Sequence, residues 1–196
     1  MKKFCSIIIL CCSLIAFGQE PIIKTAKNYI ENRCNKDFDE LLFASVSEQK
    51  MYHIKDQKII ETYTISTSAY GIGSRAGSNK TPQGLHKVAA KYGDDTPVNG
   101  RLIGRVFYGQ ITTVYTDSTK SKTDDVTSRI LWLDGLEKGL NKGEGIDSFK
   151  RYIYIHGTSE EGRLGSPESH GCIRMKNKEV IELYEKIKIG TLVLIL

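Results

Sequence analysis

One stretch of the chain, YIYIHGTSEEGRLGSPESHGCIRM from Tyr152 to Met175, constrains the fold more than any other. Ile153 and Ile155 alternate with larger or polar side chains, which predicts a strand that turns its isoleucines toward the core. His156 closes this strand on the opposite face. The residues from Gly157 to Gly171 show no periodicity and contain further glycines and a proline. They predict a surface loop that doubles back.

The loop returns to a cysteine that follows a histidine and a glycine, in Ser169-His170-Gly171-Cys172. A free thiol is a weak nucleophile at neutral pH, because its ordinary pKa is about 8.5. An imidazole within hydrogen-bond reach of Cys172 would accept the proton and hold the sulfur as a thiolate in an ion pair. Gly171 leaves room for a backbone N–H to approach a substrate carbonyl, as an oxyanion hole requires. The stretch therefore predicts nucleophilic catalysis by cysteine.

These residues resemble the signature of the L,D-transpeptidase catalytic domain, the YkuD-like family. The resemblance rests on His156-Gly157-Thr158, on Ser169-His170-Gly171-Cys172-Ile173-Arg174-Met175, and upstream on Thr81-Pro82-Gln83-Gly84 and residues 129–136. It covers residues 46–196. It implies a mainly β fold, an L,D-transpeptidase-like β-sandwich or barrel, with an N-terminal helical segment and one late helix.

The resemblance also implies catalytic roles. Cys172 would be the nucleophile, and His156 the general base, oriented by the backbone carbonyl of Gly157. His170 would be structural or would contact the substrate, although the reverse assignment of the two histidines stays open. The backbone N–H groups of Gly171 and Cys172 would stabilise the oxyanion.

Three further residues are expected in the site. Ser169 would hydrogen-bond within it, Tyr154 would line the cleft for the donor peptide, and Arg174 would meet a substrate carboxylate. A purely structural ion pair of Arg174 is the alternative. A catalytic histidine needs an acceptor for its second nitrogen, and no carboxylate of the motif is visible for that task.

The implied partners are peptidoglycan stem peptides, as donor and acceptor. Cys172 would attack the carbonyl between the third and fourth stem residues, release D-alanine and form a thioester, and an amine of a second stem would complete a cell-wall cross-link. Water in place of the amine would give L,D-carboxypeptidase activity, and attachment of a protein or exchange of the terminal D-amino acid would use the same intermediate. A non-catalytic peptidoglycan-binding module is a further alternative. The family resemblance also implies acylation by carbapenems.

No cofactor or metal is expected. The residues from Gly71 to Ala76 formally fit a dinucleotide fingerprint, but the helix that this motif needs is not predicted to follow. His156, His170 and Cys172 are residue types that bind zinc. The spacing of His170-Gly171-Cys172 is tight for two ligands of one ion, so zinc is only an alternative.

The first 18 residues predict a secretory signal peptide. Lys2 and Lys3 precede an apolar stretch that is short for a membrane span, and Ala16 and Gly18 fit the specificity of signal peptidase. We therefore expect an exported protein of the periplasm or cell envelope, without a stable membrane span after signal removal. An uncleaved anchor and a lipoprotein are the alternatives.

The net charge gives no indication of nucleic-acid binding, and the cysteine content bears on whether Cys172 is free. The net charge of +5 includes Lys2 and Lys3 and is too small to indicate nucleic-acid binding. After signal removal the cysteines are Cys34 and Cys172. A disulfide between them would consume the predicted nucleophile, so Cys172 is expected to be free.

Along the chain we predict a signal peptide (1–18), a helical segment (19–45) and a catalytic domain (46–196). The domain should contain the following elements: a hairpin of strands 51–54 and 59–66, strands within 104–115 and 128–133, a helix capped by Asn177 and ended by Gly190, and a buried strand within 191–196. The polar segment 116–127 is either a flap over the site or a solvated hairpin tip.

Overall fold

The computed structural model describes residues 20–33 and 37–196. The predicted signal peptide and Cys34 lie outside these residues. Helix α1 spans residues 20–33, helix α2 spans Asn177–Lys186, and a 3₁₀ turn spans Glu161–Arg163. The strands are β1 (Glu40–Ser45), β2 (Lys50–Lys55), β3 (Lys58–Thr64), β4 (Gly84–Tyr92), β5 (Gly100–Ile103), β6 (Val106–Ile111), β7 (Thr127–Gly135), β8 (Tyr154–Gly157), β9 (Ile173–Met175) and β10 (Leu192–Ile195).

All ten strands belong to one sheet. Its main path runs β3-β2-β1-β10-β4-β7-β5-β6, and β8 and β9 branch from β7. The late strand β10 lies parallel to β1 and antiparallel to β4, so it occupies the middle of the sheet. The predicted mainly β fold with an N-terminal helix and a late helix is confirmed, and the sheet remains open rather than closing into a barrel.

The two helices cover opposite faces of the central strands. In β1, Leu42 and Ala44 belong to the core cluster beneath α2, which contributes Val180 and Leu183. The alternate residues Leu41 and Phe43 belong to the cluster beneath α1, with Ala26 and Ile30. Side chains of a strand alternate between faces, so β1 is buried on both sides.

This double burial explains the main error in the sequence analysis. The apolar residues Phe38, Leu41 and Leu42 were expected to continue the helical segment 19–45, but residues 40–45 form β1. A strand buried on both faces has no alternation of apolar and polar residues. Its short apolar run therefore cannot be told from a helix by periodicity.

The late helix differs from prediction at both ends. Lys176 occupies its N-cap position without a side-chain hydrogen bond, and Asn177 is the first helical residue. The helix ends at Lys186, and Ile187 rather than Gly190 follows as the C-cap. The predicted hairpin, β7 and the final strand are confirmed. Neither helix in the described ranges has the length and apolar character needed to cross a membrane.

Candidate active site

The parallel pairing of β8 with β9 brings the two halves of the sequence motif together. Ile155 pairs with Ile173, and His156 with Arg174. Both isoleucines lie in the core cluster beneath α2. Because neighbouring side chains of paired strands point to the same face, His156 and Arg174 share the opposite face.

Cys172 joins this face immediately before β9 begins. The backbone N–H of Tyr154 donates a hydrogen bond to its Sγ over 3.4 Å, and Sγ donates to the carbonyl oxygen of Tyr152 at the same distance. Tyr154 and the partly buried Cys172 pack in one cluster with Trp132. The thiol is free of any disulfide.

The turn that carries Cys172 is held by hydrogen bonds on both sides. The Ser169 hydroxyl donates to the carbonyl oxygen of Cys172 over 2.6 Å and accepts the N–H of Gly171 over 3.2 Å. The Thr81 hydroxyl donates to the carbonyl oxygen of Gly171 over 3.0 Å. Gly171 has φ of +123°, and a Cβ there would lie 3.3 Å from the carbonyl oxygen of Lys80. The backbone conformation therefore favours glycine, and a Cβ would add a tight contact.

His156 is buried and oriented as the sequence predicted. Its Nδ1 lies 2.6 Å from the carbonyl oxygen of Gly157. Since a carbonyl only accepts, Nδ1 carries the proton, and Nε2 is left as the basic nitrogen. Burial lowers the pKa of His156, and the negative charge of Asp124 partly opposes that effect.

The pKa shifts of the thiol and the imidazole oppose the ion pair that the sequence predicts. Burial raises the pKa of Cys172 to about 12, while burial lowers the pKa of His156. Both shifts favour the neutral thiol and the neutral imidazole over the expected thiolate–imidazolium pair. Among the described residues, Cys172 Sγ makes its hydrogen bonds with Tyr152 and Tyr154 and none with His156. From strand rise and spacing, the Cα atoms of positions 156 and 172 lie about 8 Å apart.

His170 pairs with a carboxylate instead of a backbone acceptor. Its Nδ1 lies 2.7 Å from Oδ2 of Asp124, and its side chain is 47% exposed. Its ring also lies 5.8 Å from that of Tyr70. His156, not His170, has the buried position and the backbone acceptor of a general base.

Arg174 is enclosed by two acidic side chains. Its Nη2 lies 2.6 Å from Oδ1 of Asp124, and its Nη1 lies 2.7 Å from Oε2 of Glu160. Arg174 is only 2% exposed. These contacts favour the structural ion pair over the expected contact with a substrate carboxylate.

Sequence reasoning missed both acidic partners. Asp124 lies in the polar segment 116–127, and Glu160 in the loop after β8, where no periodicity marks a buried residue. Burial by itself would raise the pKa of Asp124, but Arg174, His156 and His170 together hold that pKa below its ordinary value. The doubled acid Asp124-Asp125 just before β7 was the one available signal.

The polar segment lies against the site and does not project as a hairpin tip. The Tyr115 N–H donates to the carbonyl oxygen of Ser159 over 2.8 Å, and the Gly162 N–H donates back to Tyr115 over 2.9 Å. Ser121 donates through its N–H and its hydroxyl to Oε1 of Glu160. Residues 112–126, which we term the docked segment, thus bring Asp124 to Arg174 and His170.

The remaining predicted residues are placed as follows. Ser169 is fully buried, and its hydroxyl is engaged within the turn. Tyr154 is 8% exposed, and its hydroxyl accepts a hydrogen bond from Arg105 Nη1 over 3.1 Å. Within residues 20–33 and 37–196, no group of three or more His, Cys, Asp or Glu side chains has an arrangement that could hold a metal ion. The zinc alternative therefore finds no support in the geometry.

Comparison with known proteins places the chain in a family. The YkuD model, which describes the L,D-transpeptidase catalytic domain, matches residues 39–195. Two proteins of Bacillus subtilis (strain 168) whose names carry the term L,D-transpeptidase are similar over short stretches. YqjB is 54% identical over 45 residues, which are 23% of this chain and 26% of YqjB. YkuD is 48% identical over 46 residues, which are 24% of this chain and 28% of YkuD.

A solved structure, that of the Ldtfm-avibactam carbamoyl enzyme, shares the fold. It aligns with a TM-score of 0.50 and 19% identity, over 82% of this chain and 49% of that one. The chain thus matches about a quarter of the length of the two curated relatives and half of the solved chain. The match of the family model over most of the sequence establishes that the chain belongs to the L,D-transpeptidase catalytic domain family.

Proposed function

We propose that the protein is an exported L,D-transpeptidase that joins peptidoglycan stem peptides through a thioester on Cys172. The observation that carries the proposal is the β8–β9 pairing. It sets the Cys172 thiol on the same face as His156, whose Nδ1 is fixed by the Gly157 carbonyl. Family membership supports the reaction class.

The geometry and the pKa directions support the following order of proton transfers. The thiol and the imidazole both begin neutral, so Sγ attacks the carbonyl between stem residues three and four as its proton moves to His156 Nε2. The Cys172 N–H is the proposed oxyanion donor, because the Gly171 N–H is bound to Ser169. When the C–N bond breaks, His156 returns the proton to the departing amine, and D-alanine leaves.

The second half of the reaction reverses these roles. An acceptor amine attacks the thioester while His156 removes its proton. The new C–N bond forms, the C–S bond breaks, and the thiolate of Cys172 recovers the proton from His156. Attack by water in place of the amine would release a tripeptide, which is the carboxypeptidase outcome.

The acidic residues have a supporting role in this proposal. Asp124 joins Arg174 and His170 and acts electrostatically on His156. We assign Arg174 and His170 to positioning this carboxylate rather than to proton transfer. A binding module without catalysis is disfavoured, because recognition alone has no use for a thiol and an oriented imidazole on one face.

The test is incubation of the protein with a disaccharide-tetrapeptide, followed by mass analysis of products and of the intact protein. A thioester adduct and a cross-linked dimer that has lost D-alanine are expected. Tripeptide without dimer identifies the carboxypeptidase. Absence of an adduct with both tetrapeptide and carbapenem refutes the proposal.

Matched variants assign the residues. Cys172→Ala should abolish the adduct, whereas Cys34→Ala, which removes the other thiol expected in the mature chain, should keep it. His156→Ala should lower the acylation rate by at least about a hundredfold, the usual contribution of general base catalysis. A larger loss in His170→Ala than in His156→Ala would reverse the assignment of the two histidines.

A further inference from the structure

An arginine that contacts Tyr154 occupies a backbone conformation that arginine rarely adopts. Arg105 lies in the two-residue turn between β5 and β6, with φ of +73°, and Gly104 before it has φ of +55°. Both values are those of a primed hairpin turn, in which glycine or asparagine is preferred. A strained residue of this kind persists where its side chain is needed.

The guanidinium of Arg105 is held over aromatic rings. Its Cζ lies 4.7 Å from the ring centroid of Trp132, 5.6 Å from that of Tyr92 and 5.7 Å from that of Tyr152. Its Nη1 donates to the Tyr154 hydroxyl over 3.1 Å. Stacking of this kind orients the planar fork of donors.

Most of these donors have no acidic partner. The hydrogen bond to Tyr154 raises the pKa of Arg105, and burial opposes that effect. None of the ion pairs found among residues 20–33 and 37–196 involves Arg105. Asp94 and Asp95 line the same depression as Arg105, and neither forms an ion pair with it. The guanidinium therefore retains donors that suit the two oxygens of a carboxylate.

The same tyrosines connect Arg105 to the proposed nucleophile. Cys172 Sγ accepts the N–H of Tyr154 and donates to the carbonyl of Tyr152. Tyr154 thus contacts the thiol through its backbone N–H and Arg105 through its hydroxyl. A group bound by Arg105 would belong to the same substrate whose carbonyl meets Cys172.

The other arginines near the thiol are already engaged. Arg174 is neutralised by Asp124 and Glu160. Arg151 donates to the carbonyl oxygens of Gly73 and Lys80.

We infer that Arg105 is a specificity-determining residue that binds a free carboxylate of the stem peptide while Cys172 attacks. The inference rests on the proposed function, which supplies the stem peptide as substrate. The carboxylate has two sources, the terminal carboxylate of the fourth residue and a free carboxylate on the side chain of the third. A stem peptide amidated at the contacted position would be a poor ligand.

Binding without turnover tests the inference. In the Cys172→Ala protein, calorimetry measures the Kd of the tetrapeptide, of its C-terminal amide and of the form amidated at the third residue. Adding Arg105→Gln should weaken binding of the free acid about tenfold or more, as for the loss of a charge-assisted hydrogen bond. Amidation of the contacted carboxyl should cause a similar loss on its own. For the peptide amidated at the contacted carboxyl, Arg105→Gln should cause no further loss of affinity. The amide that behaves in this way shows which of the two carboxylates Arg105 binds.

Two variants separate recognition from folding. Arg105→Gly suits the positive φ, so it should keep the melting temperature of the parent and still lose the preference for the acid. Arg33→Ala removes a guanidinium that lies 5.6 Å over the ring of Tyr29 on α1, away from the thiol, and should leave Kd unchanged. Equal Kd values with and without Arg105, or equal losses for the acid and both amides, overturn the inference.

The mass of the intact protein keeps the two proposals apart. The protein with its native Cys172 could form the adduct while the effects of Arg105→Gln and of peptide amidation on Kd are independent. That result refutes the carboxylate site alone. If the effect of Arg105→Gln on Kd depends on amidation but no adduct forms, the carboxylate site is supported and the thioester reaction is refuted.

Discussion

At the scale of single residues, burial decides the resting protonation of the proposed catalytic pair. The family resemblance implied that the Gly157 carbonyl would hold His156, and the structure contains this hydrogen bond. The sequence also predicted a thiolate–imidazolium pair, because the burial of Cys172 and His156 cannot be read from the sequence. Burial raises the pKa of Cys172 to about 12 and lowers that of His156, and both shifts favour a neutral resting pair.

This neutral state predicts how Cys172 reacts with iodoacetamide. The thiolate is the reactive species, and its fraction grows with pH as long as pH stays below the raised pKa. The alkylation rate should therefore keep climbing from pH 7 to pH 10 without a plateau. Mass spectrometry of the Cys172 peptide measures this rate, and a plateau below pH 7 would instead show the ion pair.

At the scale of elements, the docked segment was the least predictable part of the site. Strands β7 and β8 follow from their apolar runs, but residues 112–126 are polar and without a period. Their position depends on contacts with residues 159–163, including a close approach at Gly162. A Cβ on Gly162 would lie 2.3 Å or less from backbone atoms of Thr116 and Asp117. The role of Asp124 therefore cannot be predicted from the sequence without knowledge of the contact between the docked segment and residues 159–163.

Asp124→Asn should move the acid limb of the pH profile for acylation. The carboxylate of Asp124 raises the pKa of His156 against the larger lowering by burial. Without it, the pKa of His156 falls further, His156 stays neutral at lower pH, and the acid limb shifts to lower pH. The measurement is the acylation rate between pH 4 and 8.

One control and one independent variant accompany this test. Asp117→Asn removes an exposed charge that caps Thr119 and should leave the limb in place. Gly162→Ala should displace the docked segment while keeping the charge of Asp124, and should shift the limb in the same direction as Asp124→Asn. A uniform loss of rate with an unmoved limb would mean that Asp124 is only structural.

At the scale of the whole molecule, the sheet depends on strands that are distant in sequence. β1 pairs with β10, although about 150 residues separate Leu41 from Leu192. Sequence patterns predicted β10 as a buried strand. They did not predict that it pairs with β1 and β4, because the identity of a pairing partner leaves no local signal in the sequence. The same limit caused the error at β1, whose two buried faces come from helices at opposite ends of the described chain.

Leu194→Ala tests this central position. Leu194 is fully buried beneath α1, so its truncation should lower the free energy of unfolding by about 3 kcal/mol. Ile189→Ala, at a side chain that is 64% exposed, should change it by less than about 0.5 kcal/mol. Urea denaturation followed by circular dichroism measures both, and similar values for the two variants would contradict a central role for β10.

The position of Trp132 gives the protein an optical signal of its own. Trp132 is the single tryptophan of the sequence. It stacks on Phe149 with 3.8 Å between ring centroids and lies under the guanidinium of Arg105. An anion that draws this cation away from the indole would change its emission, so native fluorescence would register occupancy beside the thiol without any attached dye.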